Sequence, residues 1–146
     1  MERDKELIWA ERLCSQREYC AHDLRLKLKA RGVGEEDVEW VIATLFQHNF
    51  LNEERYIRAF VHDKSKLLGW GPGKIQCALH AKQLPDSLIR FALSSLDQSA
   101  QLHRLLEVKR QSIKSTPLEE QRTKLIRFGL SRGFSYEEVL TALPPL

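Results

Sequence analysis

The chain of 146 residues is 42% hydrophobic, 8% aromatic and 29% charged, with 23 Lys and Arg against 20 Asp and Glu for a formal charge of +3. A chain of that length and hydrophobicity buries roughly two thirds of its unfolded surface, which excludes disordered and collagen-like classes and removes any need for metal or disulfide staples. Its uncharged apolar runs stop at four or five residues, far short of the ~20 a membrane-spanning helix requires.

At the start of the chain, Met1-Glu2-Arg3-Asp4-Lys5-Glu6 is charged where a signal peptide needs an apolar stretch, so a cytoplasmic protein is expected. Twenty-three leucines outnumber six valines and seven isoleucines, and no stretch alternates apolar and polar residues over strand length. Helices are therefore expected throughout. In chain order, periodicity and punctuation predict them over residues 3–14, 21–31, 35–48, 53–68, 72–83, 86–96, 99–114, 117–131 and 136–143. Gly32 and Gly133 follow the basic residues Lys29, Arg31 and Arg132, which suits the residue just past a helix end. Asn52 is placed to cap the fourth helix, and Pro72, Pro85 and Pro117 fit first turns. Thr116-Pro117-Leu118-Glu119 and Ser135-Tyr136-Glu137-Glu138 both have the spacing of a capping box.

The nine helices fall into three groups of three. Leu24, Leu28, Gly32, Val38, Ile42 and Leu45 map by an offset of 51 onto Ile75, Leu79, Gln83, Ile89, Leu93 and Leu96, and by a further 50 onto Leu125, Gly129, Gly133, Val139, Leu143 and Leu146. Two successive, nearly equal offsets imply a tandem repeat of about 50 residues, stacked into an elongated row in which each unit touches only its neighbours. The units are taken as residues 1–52, 53–97 and 98–146. Matching apolar positions also arise in any helical protein, so the offsets, not the periodicity, carry the inference.

The charge is uneven. Residues 1–62 hold 10 basic and 12 acidic side chains, residues 63–114 hold 9 and 4, and residues 115–146 hold 4 and 4. The positive excess thus lies in the middle unit and the helix after it, where it suits a phosphate-bearing or acidic partner. On the helix over 53–68, Arg55, Arg58, His62 and Lys66 share one face opposite Tyr56, Ile57, Phe60, Val61, Leu67 and Leu68, as a solvated face or a binding face would. Lys64 falls at the centre of the apolar stripe, where it must either snorkel outward or meet a neighbouring helix. His22, Arg25 and Lys29 form a second stripe. The candidate binding residues are Arg25, Lys29, Arg55, Arg58, Lys64, Lys66, Lys74, Lys82, Arg90, Lys109 and Arg110.

No nucleophile elbow, Walker loop, zinc-protease helix or dinucleotide fingerprint is present. Gly69-Trp70-Gly71-Pro72-Gly73-Lys74 follows a helix rather than a strand, and Pro72 lacks a donor that a phosphate cradle would use, so it reads as an inter-helix turn. Three cysteines leave an odd count for disulfides, and Cys77 with His80 lacks a second ligand pair for zinc. His62 and Asp63 should point about 100° apart on a helix. No catalytic group, metal or cofactor is expected.

Leu51-Asn52-Glu53-Glu54-Arg55-Tyr56-Ile57-Arg58-Ala59-Phe60-Val61, followed by Gly69-Trp70-Gly71-Pro72-Gly73-Lys74-Ile75 and Leu79, resembles the RecX family of recombinase regulators. Leu13, Arg17-Glu18-Tyr19, Asp23-Leu24-Arg25, Lys27-Leu28 and Gly32 resemble that family's first repeat. Ile126-Arg127-Phe128 and Arg132-Gly133-Phe134-Ser135-Tyr136 resemble its last. The resemblance implies an all-helical protein of three tandem three-helix repeats, curved and elongated. It also implies a non-enzymatic regulator that binds the RecA nucleoprotein filament on single-stranded DNA and restrains its ATP hydrolysis, strand exchange and growth. Some members also touch DNA, so a weak direct contact is expected, from a monomer. The alternative is a helix-turn-helix-like module that binds DNA directly. Three departures from the family pattern are Ala78 for an acidic residue, Cys20 for a small hydroxyl residue, and Gln83-Leu84-Pro85 for the glycine turn of the second repeat.

Overall fold

The computed structural model of the chain describes residues 2–146, and among them every regular element is helical. The helices are α1 (Glu2–Gln16), α2 (Ala21–Ala30), α3 (Glu35–Gln47), α4 (Glu53–His62), α5 (Pro72–Ala81), α6 (Asp86–Ser94), α7 (Ser99–Ile113), α8 (Leu118–Ser131) and α9 (Tyr136–Ala142). Each matches a predicted helix within a few residues. The exception is the fourth, where α4 passes at Asp63 into a π-helical turn, Asp63–Leu67. None of these helices is long and apolar enough to cross a membrane.

The local chemistry explains most ends. Asn52 caps α4, its Oδ1 accepting the Arg55 N–H at 2.8 Å. Ser135 and Glu138 close a reciprocal capping box at α9. The box expected at Thr116 does not form: Pro117 is the cap of α8, and the Thr116 hydroxyl donates back to the Ile113 carbonyl at the end of α7. Pro85 likewise caps α6 from outside rather than lying in its first turn, whereas Pro72 opens α5 as expected.

One turn recurs in all three units. Gly32, Gln83 and Gly133 have left-handed φ values of 85°, 61° and 99°. After each, an amide reaches back to the last turn: Val33 to the Leu28 carbonyl at 3.1 Å, Leu84 to Leu79 at 3.4 Å, and Phe134 to Gly129 at 3.2 Å. This is a Schellman ending repeated at the offsets of the apolar pattern. The backbone is conserved across units even where the second carries glutamine in place of glycine.

Each trio has its own core. Leu24, Leu28, Val38, Ile42 and Leu45 are buried in the first, Ile57, Val61, Ile75, Leu79 and Ile89 in the second, and Leu102, Leu106, Leu125 and Val139 in the third. A fully buried leucine or isoleucine stabilises by roughly 1.5–3 kcal/mol, so these stripes are the main source of stability. The repeat pattern weakens at its far end, where Leu93, Leu96 and Leu143 are half-buried and Leu146 is 40% exposed. With α9 ending at Ala142, nothing places Leu146 against the core. Substantial helix packing stays within trios: α1 and α2 against α3, α4 and α5 against α6, and α7, α8 and α9 against one another. The accessible surface of 9022 Å² exceeds the roughly 7,700 Å² expected of a compact monomer of this mass, as a row of small units should.

The units are joined differently at the two junctions. Between the first and second, Cys20 enters the second core, and two ion pairs cross: Arg55 to Glu18 and Lys82 to Asp23, each at 2.7 Å. Between the second and third, backbone meets backbone. The Gly71 amide donates to the Arg132 carbonyl at 2.6 Å and the Gly73 amide to the Gly133 carbonyl at 3.0 Å. A Cβ on Gly71 would lie 2.6 Å from the Gly133 carbonyl carbon, and one on Gly133 would lie 2.4 Å from the Lys74 Cβ. The glycine-rich segment is therefore an inter-unit seam, with the Trp70, Gly71 and Gly73 amides already occupied.

Candidate binding surface

The surface is built around α4 and the turn that follows it. At 3.6 residues per turn, Phe60 and Lys64 are one turn apart, and the π-helical turn then carries the chain to Gly69, which has a left-handed φ of 69°. Trp70 is thereby folded back beside Phe60, the two rings edge-to-face with centroids 6.4 Å apart. The turn is held from outside: the Gln98 amide donates to the Trp70 carbonyl at 2.8 Å, and the Gln101 amide to the carbonyl of buried Ser65. A π turn leaves a carbonyl without its usual helical partner, and α7 supplies the donor.

Two ammonium groups converge on Trp70. Lys64 Nζ lies 5.0 Å and Lys74 Nζ 4.6 Å from the ring centroid, and Lys64 is also 5.3 Å from the Phe60 ring. Each cation–π contact contributes about 0.5–1 kcal/mol at a half-exposed site, enough to hold two like charges near one indole. Lys64 thus meets an aromatic cluster instead of projecting freely from the apolar stripe. A phosphate or carboxylate approaching Trp70 would meet an ammonium group there, an anion-attracting arrangement. On the other side of Lys64, a cleft of about 340 Å³ carries Arg17 and Lys82 but also Glu18, Asp23 and Asp63. The basic groups of that cleft are therefore matched by acids, unlike those beside Trp70.

The remaining candidates divide by their partners. Arg58 and Lys66 are exposed on α4 and its π turn and line one groove with α6. Lys29 is exposed on α2. Lys109 lies 5.5 Å from the Phe128 ring on the third unit. Five others are tied to carboxylates. Arg25 holds Glu39 in a forked pair at 2.9 and 3.0 Å, Arg90 meets Asp86 at 2.7 Å, and Arg110 meets Glu107 at 3.3 Å. Lys82 holds both oxygens of Asp23. Arg55 bonds Glu18 and also the Asn49 and Phe50 carbonyls at 3.1 and 3.2 Å, so it fastens the first unit to α4. The expected stripe of Arg55, Arg58, His62 and Lys66 is in this sense split, with Arg55 turned to structure.

His62 and Asp63 meet at 3.3 Å despite their expected divergence, both well exposed at the start of the π turn. Cys77 is exposed, and His80 is bound to Asp86 at 2.7 Å instead of facing the thiol. That contact, then Arg90, holds the Asp86 carboxyl below its usual range. Burial raises the thiols of Cys14, to about 11, and of Cys20, and pushes the Tyr56 phenol up as well. Among the described residues no cluster of His, Cys, Asp or Glu is arranged to hold a metal.

Sequence reasoning missed Trp70 as the hub, although the one-turn spacing of Phe60 and Lys64 was a signal. It also passed over a basic and aromatic set in the first unit, where Arg31 lies 4.0 Å over Trp9 and Arg3 lies 4.6 Å over Trp40.

Profiles of known families match the chain in three consecutive stretches. The first three-helix domain of RecX matches residues 9–45, the second residues 52–93 and the third residues 97–143. The regulatory protein RecX of Vibrio parahaemolyticus is 31% identical over 136 residues, which cover 92% of this chain and 86% of that protein. The corresponding protein of Haemophilus ducreyi is 33% identical over 130 residues, 86% of this chain and 82% of that one. The crystal structure of RecX from Lactobacillus salivarius superposes with a TM-score of 0.84 over 96% of this chain and 93% of its own, at 20% identity, a likeness of fold.

Proposed function

Because the chain belongs to the RecX family, whose three helical domains it matches in order, we propose that it is a non-enzymatic regulator that binds the RecA nucleoprotein filament and restrains its ATP hydrolysis and strand exchange. Membership of a family of regulatory proteins is the observation that carries this reading. The surface around Trp70 supports it: Lys64 and Lys74 gathered on one indole, with Arg58 and Lys66 free on the same helix and turn, suit an acidic or phosphate-bearing surface better than a reacting substrate. An extended row of units, taken as residues 1–52, 53–97 and 98–146 of a monomer, suits an elongated partner. Of the eleven candidates, Arg58, Lys64, Lys66, Lys74, Lys29 and Lys109 are assigned to contact, and the ion-paired five are assigned to holding the fold.

Direct DNA binding is the second reading, favoured by the positive excess over residues 63–114. A formal charge of +3 and the acids of the first 62 residues weigh against tight binding to naked DNA. Electrophoretic mobility separates the two. The regulator reading expects a shift of recombinase-coated single-stranded DNA at concentrations where naked DNA of the same length is not shifted. An equal or stronger shift of naked DNA, falling steeply with salt, would replace the first reading with the second.

A further inference from the structure

The flank of α4 away from Lys64 carries a different kind of surface. Between α4 and α6 runs a groove of about 250 Å³ with a floor of Ile57, Val61, Leu88, Ala92 and Leu96. Phe91 stands on its lip, 73% exposed. Along the α4 side the rim carries Arg58, His62 and Lys66 against a single acid, Glu54. His62 is engaged with Asp63. Neither Arg58 nor Lys66 has an ion-pair partner among the described residues, in contrast to the five tied cations. Lys66 acts on Asp97 only as a weak through-space influence, behind the Ser99 contacts that hold that carboxyl low.

Leu96 lines both this groove and the wider cleft of about 800 Å³ between α7 and α9, so the two adjoin at that side chain. An open groove of this kind does not enclose a metabolite, which wants most of its surface buried. A nucleic-acid backbone would use the cations but leave the aliphatic floor unused, since stacking requires aromatic platforms. A protein segment uses both: apolar side chains cover the floor and Phe91, while carboxylates face the unpaired cations.

We propose that the α4/α6 groove is the docking site for an acidic, apolar-anchored segment of a partner protein, its anchor seated on Ile57, Val61 and Leu96 beside Phe91 and its carboxylates facing Arg58 and Lys66. The inference rests on the regulator reading for its partner, the recombinase filament, and names the chemistry that partner must present.

The test measures anisotropy of the labelled full-length chain on RecA filaments formed on single-stranded DNA, with the wild type and the variants Phe91→Ala, Ser95→Trp and Arg58→Glu/Lys66→Glu. Phe91 and Ser95 are both exposed, so Phe91→Ala trims the lip and Ser95→Trp plugs the groove without touching the charges, with circular dichroism confirming the fold. Both are expected to weaken filament binding about tenfold at all salt concentrations, the charge variant by a similar factor that shrinks as salt rises. A short peptide of repeated Asp-Leu-Phe-Glu should bind the wild type and not Phe91→Ala, and its lysine-substituted counterpart should bind neither. Wild-type filament affinity in both Phe91→Ala and Ser95→Trp overturns the groove as a docking site, as does an equal loss for the variants on naked poly(dT), which would assign it to nucleic acid. Failure of the wild type to bind filaments sinks the regulator reading instead, and the peptide measurement alone then decides the groove.

Discussion

Gln83 has a φ of 61°, where an L side chain is strained and glycine is not, at the position that Gly32 and Gly133 hold in the other units. A left-handed residue other than glycine costs about 1–2 kcal/mol, part of which glycine returns through its freer unfolded state. Gln83→Gly should therefore raise stability by about 0.5–1 kcal/mol and the melting temperature by a few degrees; a lower melting temperature would show that the Gln83 side chain does something else at this turn. Gly133→Ala should act in the opposite sense, losing on the order of 3 kcal/mol in chemical denaturation, because its Cβ would meet the Lys74 backbone. Gly32→Ala, with open space around it, should lose only the backbone term. Cys14 adds a pH dependence. Its thiol rises from 9.0 to about 11 on folding through burial and the nearby Glu18, so the stability it contributes is complete below pH 9 and disappears as pH rises through 11. Tyr56, also raised by burial, acts in the same direction. Unfolding midpoints measured from pH 8 to 11 should fall, and fall less steeply in Cys14→Ala. An identical slope in that variant would remove Cys14 from the account.

Helix starts governed by neighbours in the chain were legible: Asn52 and Ser135 need only the next three residues to act as caps. The π-helical turn was not, because what stabilises it is the Gln101 amide on the Ser65 carbonyl, 36 residues away in the chain. A helical wheel continued through residues 63–67 keeps a constant period and wrongly puts Leu67 and Leu68 on the apolar face, whereas both are exposed. Thr116 failed as a cap for a related reason: its hydroxyl had the competing Ile113 carbonyl within reach. The turn itself makes a prediction. Gln101→Leu keeps the size of the side chain and strands a buried carbonyl, which should cost about 1–3 kcal/mol. It should also loosen the π turn that leads to Trp70, so the chain's tryptophan emission should change with stability. A variant as stable as the wild type, with unchanged emission, would mean that the π turn persists without the Gln101 contact.

At the scale of the molecule, the repeat was readable in the sequence because offsets of 51 and 50 preserve positions that the fold does bury, from Leu24 and Leu28 to Leu125 and Val139. The binding surface was readable only in outline. Charge counting located the positive segment, yet it had no means of telling Arg55, bound to Glu18 from a different unit, from Arg58, which has no such partner. Long-range ion pairing decides which cations remain available, and a sequence does not display it. The resulting picture is a row of three small cores, with a backbone seam fixing the third unit to the second and ion pairs fastening the first. Its cations are gathered about α4 and Trp70. Its central claim is that this surface restrains a recombinase filament without chemistry of its own. The most direct test is a titration of DNA-dependent ATP hydrolysis by RecA with the wild type and with Arg58→Glu/Lys66→Glu/Lys74→Glu. Three lost contacts of about 0.5 kcal/mol or more each predict that the variant needs at least about tenfold more protein for half-inhibition. Hydrolysis unaffected by the wild type, or inhibited equally by a folded triple variant, would contradict the account.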